Sequence, residues 1–147
     1  MEIRRLHEGD ERLAVRVIEQ LKFRVRGIGG VSVHPAYMRR ILADDRHLLV
    51  VACVDDNPVG YAFGYRLCRF DGCSSVMFIY EVEVVERHRR QGIGRALIEE
   101  MKTLAKEDGC YQMFLHTNRS NEAAMALYQS AGGEEGDADA TAFWWKW

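Results

Sequence analysis

Apolar and polar positions change period along the chain, and each change marks an element. Residues 2–6 read as a first strand. Leu13, Val17, Ile18, Leu21 and Val25 then recur at helical spacing, with Asp10 placed to cap the helix start. Three glycines among residues 27–30 end that helix in a flexible connection, and Pro35 suits the first turn of a short helix reaching about Ala43. Residues 47–54 are nearly continuously apolar, as a buried strand is. Turn chemistry follows at residues 55–58. The next strand, 59–67, alternates Tyr61, Phe63, Tyr65 and Leu67 with Gly60, Ala62 and Gly64. One of its faces is therefore shallow and fit for close approach by a helix or a ligand. A hairpin at residues 71–75 leads into a strand over 77–85, rich in β-branched and aromatic side chains.

Beyond that strand the period becomes helical, with Ile93, Leu97, Met101, Leu104 and Ala105 on one stripe, up to a glycine stop at Gly109. A short strand over 111–116 follows, then a helix through Tyr128 that stops at Gly132-Gly133, an acidic loop over 134–139, and a last strand over 142–147 carrying Phe143, Trp145 and Trp147 on one face. Strands and helices in this order predict a mixed α/β sheet with one strand-to-helix crossover, at residues 85–94.

That crossover is where chemistry is expected. A strand that runs through a glycine loop into a helix presents free N–H groups and the positive end of the helix dipole to an anion. Glycines there let a phosphate come close to the backbone. Arg87, His88, Arg89, Arg90 and Arg95 gather positive charge at the same point. The Gly-Lys-Ser/Thr of a P-loop is absent, and Leu97 stands where a dinucleotide fingerprint needs its third glycine.

The stretch Arg89-Arg90-Gln91-Gly92-Ile93-Gly94 resembles the signature of the GNAT superfamily of acetyl-CoA-dependent N-acetyltransferases. A second stretch, from Asn121 through Leu127-Tyr128 to Gly132, resembles that family's late helix. The resemblance covers nearly the whole chain. It implies a single domain over 1–147, with a mixed, mostly antiparallel sheet flanked by helices on both faces. It also implies that Arg89, Arg90, Gln91, Gly92, Ile93, Gly94 and Arg95 hold the coenzyme A pyrophosphate. The main chain of Val82 and Val84 would pair with the pantetheine arm, and Asn121 would hydrogen-bond the cofactor or simply cap its helix. Tyr128 matches the tyrosine near the cofactor sulfur that protonates the departing thiolate.

Transfer to an amine also asks for a base, and Glu81 and Glu83 are the candidates. They flank Val82, so a regular strand puts both on one face, and a bulge in this stretch would re-aim one of them. The bland alternative is one carboxylate at a solvated rim and one paired with an arginine. His116 is a reserve base.

Composition trims the remaining options. A net charge of −2 is not that of a nucleic-acid binder, and no apolar run approaches a membrane span. Cys53, Cys68, Cys73 and Cys110 lack metal-ligand spacing, which leaves reduced thiols in a cytoplasmic protein and no metal site. Glu134, Glu135, Asp137 and Asp139 with the two strand glutamates would attract a small cationic amine such as an aminoglycoside or polyamine. The run Tyr80-Glu81-Val82-Glu83-Val84 and the residues after it resemble the aminoglycoside 3-N-acetyltransferase branch, with Glu81 at an aspartate position and Glu83 in place of a small residue. Amino-acid, protein lysine or N-terminal acetylation, and a non-catalytic acyl-CoA-binding module, are the other readings. The aromatic C-terminus is expected to serve core and subunit contact in a homodimer.

Overall fold

A computed structural model describes residues 1–23, 33–72, 74–137, Phe143 and Trp145. The glycines of residues 27–30, Cys73, Asp139 and most of the expected last strand lie outside the described residues. Strand β1 (Glu2–Arg5) leads into α1 (Glu11–Val17), which runs on as a wider π-type helix (Ile18–Phe23). Helix α2 (Pro35–Ala43) precedes three strands, β2 (His47–Val54), β3 (Asn57–Cys68) and β4 (Ser75–Val84). A short 3-10 turn (Glu86–His88) opens the loop to α3 (Ile93–Glu107), which returns through β5 (Cys110–Leu115) to α4 (Glu122–Ser130).

The sheet order is β1-β2-β3-β4-β5. The first three pairings are antiparallel and β4–β5 is parallel, which is why a whole helix, α3, is needed to connect them. Both faces are covered. Leu48, Val50 and Ala52 of β2 point to the α3 side, where Leu97 and Met101 are fully buried, while Leu49 and Val51 point to α1 and α2. That double burial explains the unbroken apolar run of β2. The shallow face of β3 serves helix α3: a Cβ on Gly64 would lie 2.7 Å from Met101 Cε and 2.9 Å from the Phe78 carbonyl oxygen.

Asp10 departs from its expected role. It makes no side-chain cap to α1. Its carboxylate instead accepts two bonds from the Arg4 guanidinium at 3.0 Å and one from the His7 N–H at 3.0 Å. The charged donor of β1 outcompetes the helix amides, and the end of β1 is tied to the start of α1.

The bulge falls in β4. Phe63 of β3 pairs with Glu81 and Gly64 with Ile79, so Tyr80 is the extra residue. Met77 and Ile79 before it, and Val82 and Val84 after it, all pack on the α3 side. A side chain alternates faces at every residue, so both sets can reach one core only if a residue is inserted between them. Glu81 and Glu83 consequently move together, onto the face of Phe63 and Tyr61. The bulge is present but leaves them on the common face that alternation predicts, because it precedes both.

Candidate active site

The loop from β4 to α3 is folded tightly by two left-handed residues, Arg90 at φ 62° and Gly92 at φ 81°. Gly92 is the N-cap of α3, and no side chain caps the first turn. The amides of Ile93, Gly94 and Arg95 therefore point out of the helix end without an intrahelical acceptor. Arg87, Arg90 and Arg95 are exposed around them. This is a fitting cradle for a diphosphate: an uncapped fifteen-residue helix, its dipole, and cations on the same rim. The two glycines differ in role. Gly92 supplies the left-handed turn. A Cβ on Gly94 would meet Leu127 Cδ2 of α4 at 3.1 Å, so this glycine chiefly lets α3 and α4 pack closely.

Arg89 is engaged by the protein itself. Its Nε donates to the Val84 carbonyl at 2.9 Å and its Nη2 to Glu83 Oε1 at 3.1 Å. The guanidinium thus holds the loop against the end of β4. Gln91 Nε2 donates to the Arg87 carbonyl at 3.2 Å, which closes the loop on itself.

Beside this cradle the sheet opens. Pairing of β4 with β5 runs from Ser75↔Cys110 to Ile79↔Leu115 and stops there, while β4 continues to Val84. The Val85 N–H donates to Val59 of β3. Main-chain groups alternate sides along a strand, so those of Glu83 also face β3 and those of Val82 and Val84 face the opening. With the Val84 carbonyl taken by Arg89, Val82 is the main-chain position left to pair with an extended ligand arm.

Tyr128 stands on α4, mostly buried against the α3-side core. Burial, and then the nearby charge of Glu83, push its phenol above the ordinary tyrosine range. It therefore keeps its proton through neutral pH, as a proton donor must. Glu81 and Glu83 are both half-buried, and Glu83 forms an ion pair with Arg89. Asn121 caps α4, its side-chain oxygen accepting from the Ala124 N–H at 3.2 Å. His116 is exposed, its ring edge-on to Phe78 and Phe114.

Tyr128 and His116 also line a groove of about 750 Å³ between β5 and α4. Glu134, Glu135 and Asp137 lie along the same groove, but so do Lys102, Lys106 and Arg119, and Glu135 pairs with Arg119 at 3.1 Å. The loop acids are therefore partly neutralised there. Tyr80 did not stand out in the sequence, because it sits within an apolar strand. It is 57% exposed. The signal was present: Met77 and Ile79 are out of phase with Val82 and Val84.

The chain is similar to known proteins over most of its length. The acetyltransferase (GNAT) family profile matches residues 32–132. An aminoglycoside N(6′)-acetyltransferase type 1 of Serratia marcescens is 33% identical over 112 residues, covering 73% of this chain and 76% of that protein. The ribosomal protein bS18 alanine N-acetyltransferase of Escherichia coli is 37% identical over 57 residues, which is 39% of this chain and 38% of that protein. Among solved structures, an aminoglycoside acetyltransferase from an uncultured soil metagenomic sample, in complex with sisomicin, superposes with a TM-score of 0.87 at 23% identity, covering 99% of this chain and 95% of that one.

Proposed function

The chain belongs to the GNAT family and is an acetyl-CoA-dependent N-acetyltransferase, and from that premise we propose that its acceptor is a primary amine of a small polycation, an aminoglycoside. The observation that carries this reading is the pair Glu81 and Glu83, turned onto one face of β4 just where β5 leaves the sheet. Glu83 is offset by Arg89, so it is chiefly the Glu81 carboxylate at the mouth of the opening that favours a cationic acceptor over a neutral one. The Serratia relative, similar over most of its length, supports the same acceptor class.

Bound acetyl-CoA supplies the thioester acyl group. The first-turn amides of α3 with Arg90 and Arg95 hold its phosphates, and the main chain of Val82 orients its arm. A lysine-like amine is neutral in only about one molecule in two thousand at pH 7. Glu81 takes the amine proton. Tyr128 gives a proton to the departing sulfur. Glu83 acts indirectly, fixing Arg89 against the end of β4. The reading also includes a cytoplasmic homodimer. For the position acetylated, the Tyr80–Val84 run supports the 3-amine, and the Serratia relative supports the 6′-amine.

The test is thiol release from acetyl-CoA against aminoglycosides, spermidine, amino acids and lysine peptides. Turnover should be fastest with aminoglycosides, each product gaining one acetyl mass, and NMR of the product fixes the position. Glu81→Gln and Tyr128→Phe should each lower kcat by about 10²-fold or more, with little change in the KM for acetyl-CoA. Turnover of another amine with aminoglycosides inert would overturn the acceptor and leave the family. Acetyl-CoA binding with no turnover of any amine would favour a binding module.

A further inference from the structure

The inserted residue in β4 sets two neighbours in sequence, Tyr80 and Glu81, side by side on one face of the sheet. Glu81 is opposite Phe63, and the Tyr80 ring meets Tyr65 at 5.9 Å and Phe78 at 6.1 Å, near a right angle to each. Phe63 and Tyr65 are themselves edge-on at 5.0 Å. Burial, then the neighbouring Tyr80, Tyr37 and Glu81, push the Tyr65 phenol upward, so all three lie within electrostatic reach of it. Tyr80 and Tyr37 are 57% and 55% exposed. Large aromatic rings left open to water beside a carboxylate have a specific use. Ring faces and a carboxylate both attract an ammonium group, and a neutral group gains far less from either.

Resting on the acetyltransferase reading, we propose that Tyr80 and Tyr65, next to Glu81, form a subsite for a second, non-reacting ammonium of the acceptor. An amine held by aromatic faces is stabilised in its charged form. That opposes the deprotonation which the attacking amine must undergo. The tyrosine rings are thus suited to hold the acceptor's other cation, while Glu81 receives the reacting one. The enzyme then selects acceptors with two or more amino groups, and Tyr80 is a specificity-determining residue.

The first experiment uses choline, a quaternary ammonium with no transferable N–H, and its neutral carbon isostere dimethylbutanol. Each is titrated into the full chain while tyrosine ring signals are followed by NMR. Choline should shift the Tyr80 and Tyr65 signals, and the isostere should bind at least about 5-fold more weakly. Tyr80→Leu should abolish the choline response, and Tyr80→Phe should keep it. In turnover, Tyr80→Leu should raise KM for a polyamine acceptor by roughly 5-fold to 30-fold. For a monoamine it should change kcat/KM by less than about 2-fold on the same reasoning. Equal binding of the isostere, loss of choline binding in Tyr80→Phe, or no response to choline would each overturn the subsite. Choline binding does not depend on turnover. Failure of the subsite is thereby separated from failure of the acetyltransferase reading, which shows as no acetylated product from any amine. Unchanged acetyl-CoA binding by both Tyr80 variants checks that they are folded.

Discussion

Arg89 is where the signature loop and the scaffold meet. Its two bonds, to the Val84 carbonyl and to Glu83, place the loop rather than reach outward to a ligand. Arg89→Ala should therefore free Glu83 and loosen the cradle. A charge-assisted bond of this kind is worth enough that the KM for acetyl-CoA should rise about tenfold or more, read by steady-state kinetics. Arg89→Lys should not rescue it, because one ammonium cannot reproduce two directed guanidinium bonds. An unchanged KM in both variants would show that the loop holds itself. The sequence made the arginine conspicuous and allowed a strand glutamate to pair with an arginine, but not which two residues would meet. That depends on the left-handed turns at Arg90 and Gly92, which set where the side chain reaches. The common face of Glu81 and Glu83 was legible from alternation alone, because the inserted residue lies before both.

Among the elements, the contact of β3 with α3 is the tightest constraint. Gly64→Ala would place a methyl 2.9 Å from the Phe78 carbonyl oxygen and 2.7 Å from Met101 Cε. The methionine can yield, but the paired strand cannot, so the cost should be about 1–3 kcal/mol. In a domain of this size that lowers Tm by several degrees, roughly 3 °C per kcal/mol. No change in a calorimetric scan would mean that β3 and β4 slide more freely than their pairing implies. The Gly60-Ala62-Gly64 stripe was readable beforehand as a shallow face, and helix α3 fills it.

The join between β1 and α1 gives a pH signature. The Arg4 guanidinium, then the His7 amide, hold the Asp10 carboxyl below its ordinary range. A folded pKa below the unfolded one adds stability that is fully present above the unfolded value, near 3.9. It is lost as pH falls through the folded value. Asp10→Asn should thus be less stable than the parent at pH 7, by about 1 kcal/mol since Arg4 is partly solvated. The gap should close in urea melts as pH drops below about 4, toward the region where the parent's own carboxyl is protonated. A gap that persists undiminished at low pH would assign the loss to packing. Asp10 looked like a helix cap because aspartate before an apolar stripe usually is one. Only the fold reveals the arginine six residues earlier as the stronger partner.

For the whole molecule, the succession of strands and helices and the crossover followed from the changes of hydrophobic period, while helices on both faces followed from the family resemblance and the sheet order came from the structure. What no period reveals is how copies meet. Phe143 and Trp145 were expected to divide between core and subunit contact, and in the single chain they are 76% and 74% exposed. A phenylalanine and a tryptophan two residues apart offer about 150–250 Å² each for burial. That falls short of the roughly 800 Å² per partner of a stable interface, so flanking surface has to join them. A net charge of −2 sets little repulsion against such a contact. We expect a homodimer in which these two side chains are buried. Light scattering on a size-exclusion column should give twice the chain mass for the parent, and melting should depend on protein concentration. Trp145→Glu with Phe143→Glu should elute as a monomer with acetyl-CoA binding intact. A parent that runs as a monomer at every concentration would remove the dimer. A dimer untouched by the double substitution would keep it and place the interface elsewhere on the surface.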